Sequence, residues 1–221
     1  LPRSTVVVAN HQIYTDWIYM WVFAYYAKSA EHIVIMLKSS LKDLPIFGWG
    51  MQIFEFIFLD RRWANDKVTI DKHIEMIHES ELPTWLMLYP EGTVPSGNTV
   101  PKSLKYASDN KVSHPTNLLL PRSTGLHYTI NQLRSDPRIK YLTDLTIGYS
   151  GLAKGEIPHY IYTIPGYYMY SDAPDTVHFH VRKIRIDSIP EDEEEFAKWT
   201  RKLWMDKDEL LNVFYETGKF P

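Results

Sequence analysis

The chain has 221 residues, 44% hydrophobic and 23% charged, enough apolar material for one sizeable core and too much for a disordered chain. Its 24 basic residues face 27 acidic ones; the net charge of −3 gives no broad positive field to hold nucleic acid, so an anionic ligand requires a local cluster. The absence of cysteine excludes disulfides, thiolate zinc sites and a cysteine nucleophile.

In chain order, Thr5-Val6-Val7-Val8-Ala9 predicts a buried strand and residues 15–29 an aromatic-rich helix, whose Trp and Tyr side chains read mainly as core. Residues 32–37 predict a second strand. Residues 54–59 predict a third, after a Pro45/Gly48/Gly50 stretch with the composition of a turn or short helix. Val68, Ile70, Ile74, Met76 and Ile77 recur at roughly helical spacing within 65–80. Residues 84–89 predict another strand, ended by Pro90, and 118–120 a short apolar one, ended by Pro121. Residues 142–149 and 177–186 are later strands; in the second, Val177, Phe179 and Val181 alternate with His178, His180 and Arg182, which predicts one buried face. The acidic run 191–195 suits the first turn of a final helix reaching about residue 217.

This alternation predicts an α/β fold with a mixed, largely parallel central sheet flanked by helices. Without an internal repeat or a Gly/Ser linker, residues 1–221 read as a single domain. Because the chain starts at Leu1 with no leader, it is expected to be a piece of a longer protein. No apolar run reaches the ~18 residues of a spanning helix, so a membrane anchor is expected outside these residues. The tract 44–58 is the segment best suited to contact acyl chains.

Four polar clusters end predicted strands: Asn10-His11, Asp60-Arg61-Arg62, Glu91-Gly92-Thr93 and Pro121-Arg122-Ser123. Ligands bind at the carboxyl ends of parallel strands, so four such ends predict one shared site. Asp16 follows His11 by five residues, which on a regular helix would set the two about 140° apart. They can meet only if His11 lies in the strand-to-helix turn with Asp16 just inside the helix. The carboxylate then holds one ring nitrogen as a donor and leaves the other free to take a proton from an alcohol. Arg61 and Arg62 offer planar donor forks suited to phosphate. Gly92 allows close backbone approach, and its amide is a candidate oxyanion donor. Taken singly, each cluster is equally an ordinary turn or a strand end returning to solvent.

Together, the four segments resemble the motifs of the glycerolipid acyltransferase superfamily. His11 with Asp16 is similar to the family's first motif, residues 56–61 to its second, Glu91-Gly92-Thr93 to its third and Leu120-Pro121-Arg122 to its fourth. The likeness runs essentially the length of the chain. It is closest to the eukaryotic lysocardiolipin and lysophosphatidylinositol acyltransferases through residues 37–42, 47–52, 121–125 and 177–181. The resemblance implies a glycerol-3-phosphate acyltransferase-like fold and transfer of an acyl group from acyl-CoA to the free hydroxyl of a lysophospholipid, lysophosphatidylinositol first. It also implies a lipid bilayer as partner, at the endoplasmic reticulum or another internal membrane such as the mitochondrial one. His11 would be the general base, Asp16 its orienting partner and Arg61 the grip on phosphate, with Glu91 and Gly92, and Thr93 beside them, shaping the acceptor site. Two residues depart from the pattern: Val94 stands where arginine is common, and Arg122 where an apolar residue is common. Arg122 is therefore expected to restore positive charge.

A thioester is already activated, so this chemistry needs a base, a phosphate anchor and amide donors, with acyl-CoA as co-substrate and no bound cofactor. Residues 148–152 miss the Gly-x-Ser-x-Gly elbow at the last position. His178 and His180 share a strand face without an adjacent third ligand, so no metal is expected. A phospholipid transacylase, an acyl-CoA hydrolase and a catalytically silent lipid-binding domain remain alternatives.

Overall fold

Side chains branched at Cβ favour extended backbone, and the Val-rich opening segment forms strand β1 (Thr5–Ala9). The computed structural model describes residues 1–221. After β1 come α1 (Asp16–Tyr26), β2 (Ile33–Lys38), α2 (Phe47–Ile53), β3 (Ile57–Leu59), α3 (Trp63–Glu79) and β4 (Trp85–Leu88). Then follow α4 (Val100–Asp109), α5 (Ser123–Leu133), β5 (Tyr141–Tyr149), α6 (Pro158–Ile161), α7 (Ile164–Met169), β6 (Val177–Arg185) and α8 (Glu193–Thr217). One six-stranded sheet has the order β3-β2-β4-β1-β5-β6. The first five strands run parallel and β6 is antiparallel to β5, as expected for a largely parallel α/β sheet.

Each strand sends alternate side chains to opposite faces, and each face has its own core. On one, Val6, Val8 and Leu86 pack against Ile70 and Ile74 of α3, Ile130 of α5 and Trp204 and Leu211 of α8. On the other, Val7, Ile35 and Met87 pack against Met20 and Ala24 of α1. Helix α8 starts on a capping Asp192 whose side chain accepts from the Glu194 and Glu195 amides, and it ends at Gly218 in the left-handed region. Gly148 of β5 lets α8 approach closely; a Cβ there would sit 2.9 Å from the Phe214 ring.

Three expectations are corrected. The third strand begins at Ile57, not at 54; Phe54 ends α2 and Glu55 has a φ of 55°, because β3 meets only the carboxyl-terminal half of β2. Residues 118–120 form no strand. They pair with none of the six strands, and the Leu119 and Leu120 amides donate instead to the side chains of Glu91 and Ser103. On β6 the face carrying His178, His180 and Arg182 is the more evenly covered one, while Val181 is exposed. The His178 and His180 rings pack against Phe214 and Phe220, at 5.0 and 5.9 Å, and Arg182 pairs with the buried Asp144. Of the α1 aromatics, Trp17, Tyr19, Trp21 and Phe23 are half-buried, whereas Tyr25 and Tyr26 face outward.

Candidate active site

The carboxyl ends of β1, β3 and β4 share one rim of the sheet, bringing His11, Arg61 and Glu91 to one side of the molecule. Asn10 ends β1 in an unusual way. Its side-chain amide donates to the Ile147 carbonyl at 3.0 Å and its oxygen accepts from the Ile147 amide at 2.8 Å. One side chain thus replaces a strand residue in the β5 ladder, and the backbone is free to turn away at His11.

In that turn His11 Nδ1 lies 2.8 Å from Asp16 Oδ2. Asp16 is fully buried at the first turn of α1, and its carboxylate also accepts from the Gln12 amide at 2.8 Å, the Ile13 amide at 3.2 Å and the Tyr149 hydroxyl. All four partners donate, so Nδ1 carries the proton and the Nε2 lone pair is left free. Burial first, then the Asp16 charge, pushes the Tyr149 phenol well above its ordinary range, which keeps it a donor. The Tyr89 ring stacks on the imidazole with centroids 4.6 Å apart.

Glu91 is buried too, and it ties together three parts of the chain. Oε1 accepts from the His11 amide at 3.0 Å and from Trp204 Nε1 at 3.2 Å; Oε2 accepts from the Leu119 amide at 3.0 Å. Burial pushes its carboxyl up to about 7, against the opposing pull of the two amides, His11 and the Trp204 N–H.

Gly92, with a φ of 71°, makes the turn that follows. Its own amide donates to the Tyr89 carbonyl at 2.9 Å, so the expected oxyanion donor is already occupied. The Gly92 carbonyl accepts from Arg61 Nη2, and a Cβ at Gly92 would lie 3.9 Å from Arg122 Nε. Two guanidiniums therefore converge on one glycine. Partial burial and then the neighbouring Arg122 charge push Arg61 below its ordinary value. Arg61 also has a φ of 64°, a strained conformation for a side chain of this size. The arginines that pair with carboxylates are Arg138, Arg182 and Arg185; Arg61, Arg62 and Arg122 do not. The Arg122 amide donates to the Pro90 carbonyl at 2.8 Å, fixing the fourth segment beside the third. Arg62 is exposed at the start of α3, where its carbonyl accepts from Asn65 and Asp66. Thr93 is half-buried and Val94 fully buried, so the position after Glu-Gly-Thr here faces the interior.

The structure thus gathers His11, Asp16, Glu91, Gly92, Arg61 and Arg122 and leaves Arg62 at the edge. Tyr149, Gln12, Tyr89 and Trp204 were not singled out from the sequence. Tyr149 and Trp204 stand 133 and 113 residues from the carboxylates they contact, and no local pattern marks them.

A model of the acyltransferase family matches residues 1–150, and one of the acyltransferase C-terminus matches 169–221. The chain belongs to the glycerolipid acyltransferase superfamily. It is 37% identical to the 2-acyl-1-lysophosphatidylinositol acyltransferase of Saccharomyces cerevisiae over 100% of this chain and 64% of that protein. It is 32% identical to lysocardiolipin acyltransferase 1 of Gallus gallus, over 98% of this chain and 55% of the relative. An uncharacterised acyltransferase of Schizosaccharomyces pombe is 40% identical over 99% and 62%. The chain therefore spans 55–64% of the length of these relatives. No helix is long and apolar enough to cross a membrane.

Proposed function

We propose that this chain is the catalytic domain of an acyl-CoA-dependent acyltransferase that esterifies the free hydroxyl of a lysophospholipid. One observation carries the reading: an imidazole oriented by a buried carboxylate stands on the same rim as two guanidiniums that no carboxylate neutralises. Arg61 and Arg122 hold the acceptor phosphate, with Arg62 adding charge from farther out. His11 Nε2 takes the hydroxyl proton as the oxygen attacks the thioester carbonyl. The resulting C–O bond replaces the C–S bond, and the imidazolium returns the proton to the departing thiolate. Asp16 stabilises that imidazolium. The Thr93 amide, which makes no internal hydrogen bond, is a free donor in this turn for the oxyanion. Lysophosphatidylinositol is the preferred acceptor, with lysocardiolipin or lysophosphatidylglycerol next; relatives named for lysophosphatidylinositol and for lysocardiolipin support the first two as acceptors.

The lipid acceptor and an endoplasmic reticulum or other internal membrane are part of the same reading. Ile46, Trp49 and Ile53 are 77%, 71% and 78% exposed, and Phe47 joins them to Trp17, the neighbour of Asp16, at 6.4 Å. Ile46 is held at a φ of 65°, a costly conformation for a β-branched residue. This face is the surface proposed to lie on the bilayer and pass acyl chains to the site.

The test is thiol release from one labelled acyl-CoA against a panel of lysophospholipids, with wild type and His11→Ala in membranes. Release that depends on the acceptor and is lost in His11→Ala is expected. Release into water alone would make the protein a hydrolase, and turnover unaffected by His11→Ala would remove this site from the chemistry.

A further inference from the structure

Helix α8 lies across the sheet from α1, yet it reaches the turn that carries His11 at two points. Trp204 Nε1 donates at 3.2 Å to the same Glu91 oxygen that accepts the His11 amide. Eleven residues on, the Tyr215 hydroxyl accepts from Gln12 Nε2 at 3.2 Å, and the Gln12 amide in turn donates to Asp16. Both members of the His11–Asp16 pair are thus held, through one intermediary each, by a helix far away in sequence.

The helix itself is firmly placed. Lys207, fully buried, pairs with the equally buried Asp144 at 2.5 Å and donates to the Leu145 carbonyl of β5. Asp208 accepts from the Thr116 and Asn117 amides at 2.8 and 2.7 Å, fixing the segment that leads to Leu119 and so to the second oxygen of Glu91. A buried charge is retained only where bonds of this kind compensate it, and burying two charged residues on one helix makes α8 a poor candidate for sliding.

We propose that Trp204 and Tyr215 are positioning residues, through which α8 sets the orientation of His11 toward the acceptor hydroxyl. The proposal rests on His11 being the base. It predicts that losing either donor or acceptor on α8 lowers kcat while leaving the affinity for acceptor largely intact, because neither residue hydrogen-bonds to Arg61 or Arg122. The two arms act through different carriers, Glu91 for Trp204 and Gln12 for Tyr215.

The experiment uses the full chain in membranes with Tyr215→Phe, which keeps the ring, Trp204→Phe, Gln12→Leu and the Tyr215→Phe/Gln12→Leu double variant. Tyr215→Phe is expected to lower kcat about three- to tenfold with acceptor KM within about twofold, an effect of the order of one hydrogen bond. In the Gln12→Leu background it is expected to add almost nothing, since the carrier is already gone. Additive losses, or a loss confined to KM, would overturn the proposal.

Trp204→Phe has a second readout. The titratable groups facing Glu91 are His11 from the turn and Lys207 from α8, the latter already committed to Asp144. Loss of the indole donor raises the proton affinity of Glu91, and because it is the Glu91 carboxylate that holds the His11 amide, the acid limb of the kcat/KM profile moves upward in Trp204→Phe and stays in place in Tyr215→Phe. An unmoved limb in a folded Trp204→Phe would remove that arm. Carbethoxylation of His11, followed by mass spectrometry, reads the turn without turnover and is expected to quicken at least about twofold in both variants. If wild type acylates no lysophospholipid, the function fails while this chemical readout still decides the positioning claim.

Discussion

The His11–Asp16 corner and the Arg61–Arg122 corner lie on one rim, but the fold treats their charges differently. Asp16 is fully buried and accepts four hydrogen bonds, leaving one free nitrogen on His11 as the corner's outlet. Arg61 and Arg122 are exposed, face each other across Gly92 and pair with no acid. A proton acceptor benefits from a fixed direction, because a small misalignment costs rate. A receptor for an anion benefits from charge left unsatisfied until the ligand arrives, since two neighbouring cations repel until an anion separates them. The first corner is preorganised by bonds, the second by charge that no acid neutralises.

The sharpest way to break this comparison is His11→Ala, expected to lower kcat by ~10² to 10⁴ in the thiol-release assay. A loss seen only in KM would place the base elsewhere. Next comes Glu91→Ala, which strands three N–H donors; each costs about 1–3 kcal/mol when left buried and unmatched, and the denaturant midpoint reads the sum. An unchanged midpoint would show that water replaces the carboxylate at no cost.

The same carboxyl gives a pH signature. Its folded value is about 7 against an ordinary 4.5. Its contribution to stability is therefore fully present below about 4.5 and is lost as pH rises through about 7. Relative to Glu91→Gln, wild type should gain on the order of 3 kcal/mol on going from pH 8 to pH 4. Parallel stability curves for the two proteins would show that Glu91 titrates normally.

At the cationic corner, Arg122→Ala and Arg61→Ala should each raise the acceptor KM about tenfold or more, as expected for one charge-assisted hydrogen bond. Arg62→Ala should raise it less. An unchanged KM in Arg122→Ala would refute its role in compensating for Val94. The smallest effect is structural: Asp192→Ala should cost about 1 kcal/mol through loss of the α8 cap, seen as a modest drop in Tm.

Much was legible in the sequence because its causes are local. The Val-rich run had to be a strand, the five-residue step from His11 to Asp16 could close only across a strand-to-helix turn, and the acidic run 191–195 marked the start of α8. The paired guanidiniums were half legible: Arg61 and Arg122 could be named, but only the fold brings them to Gly92 and leaves Arg62 outside. What the tertiary structure alone decided is who holds whom. Tyr149 reaches Asp16 because β5 lies beside β1, Trp204 reaches Glu91 because α8 crosses the sheet, and the Gly92 amide turns inward to Tyr89. Periodicity and turn chemistry act between near neighbours in the chain. Strand order and helix packing are set by how the two cores close, and that closure joins residues more than a hundred positions apart.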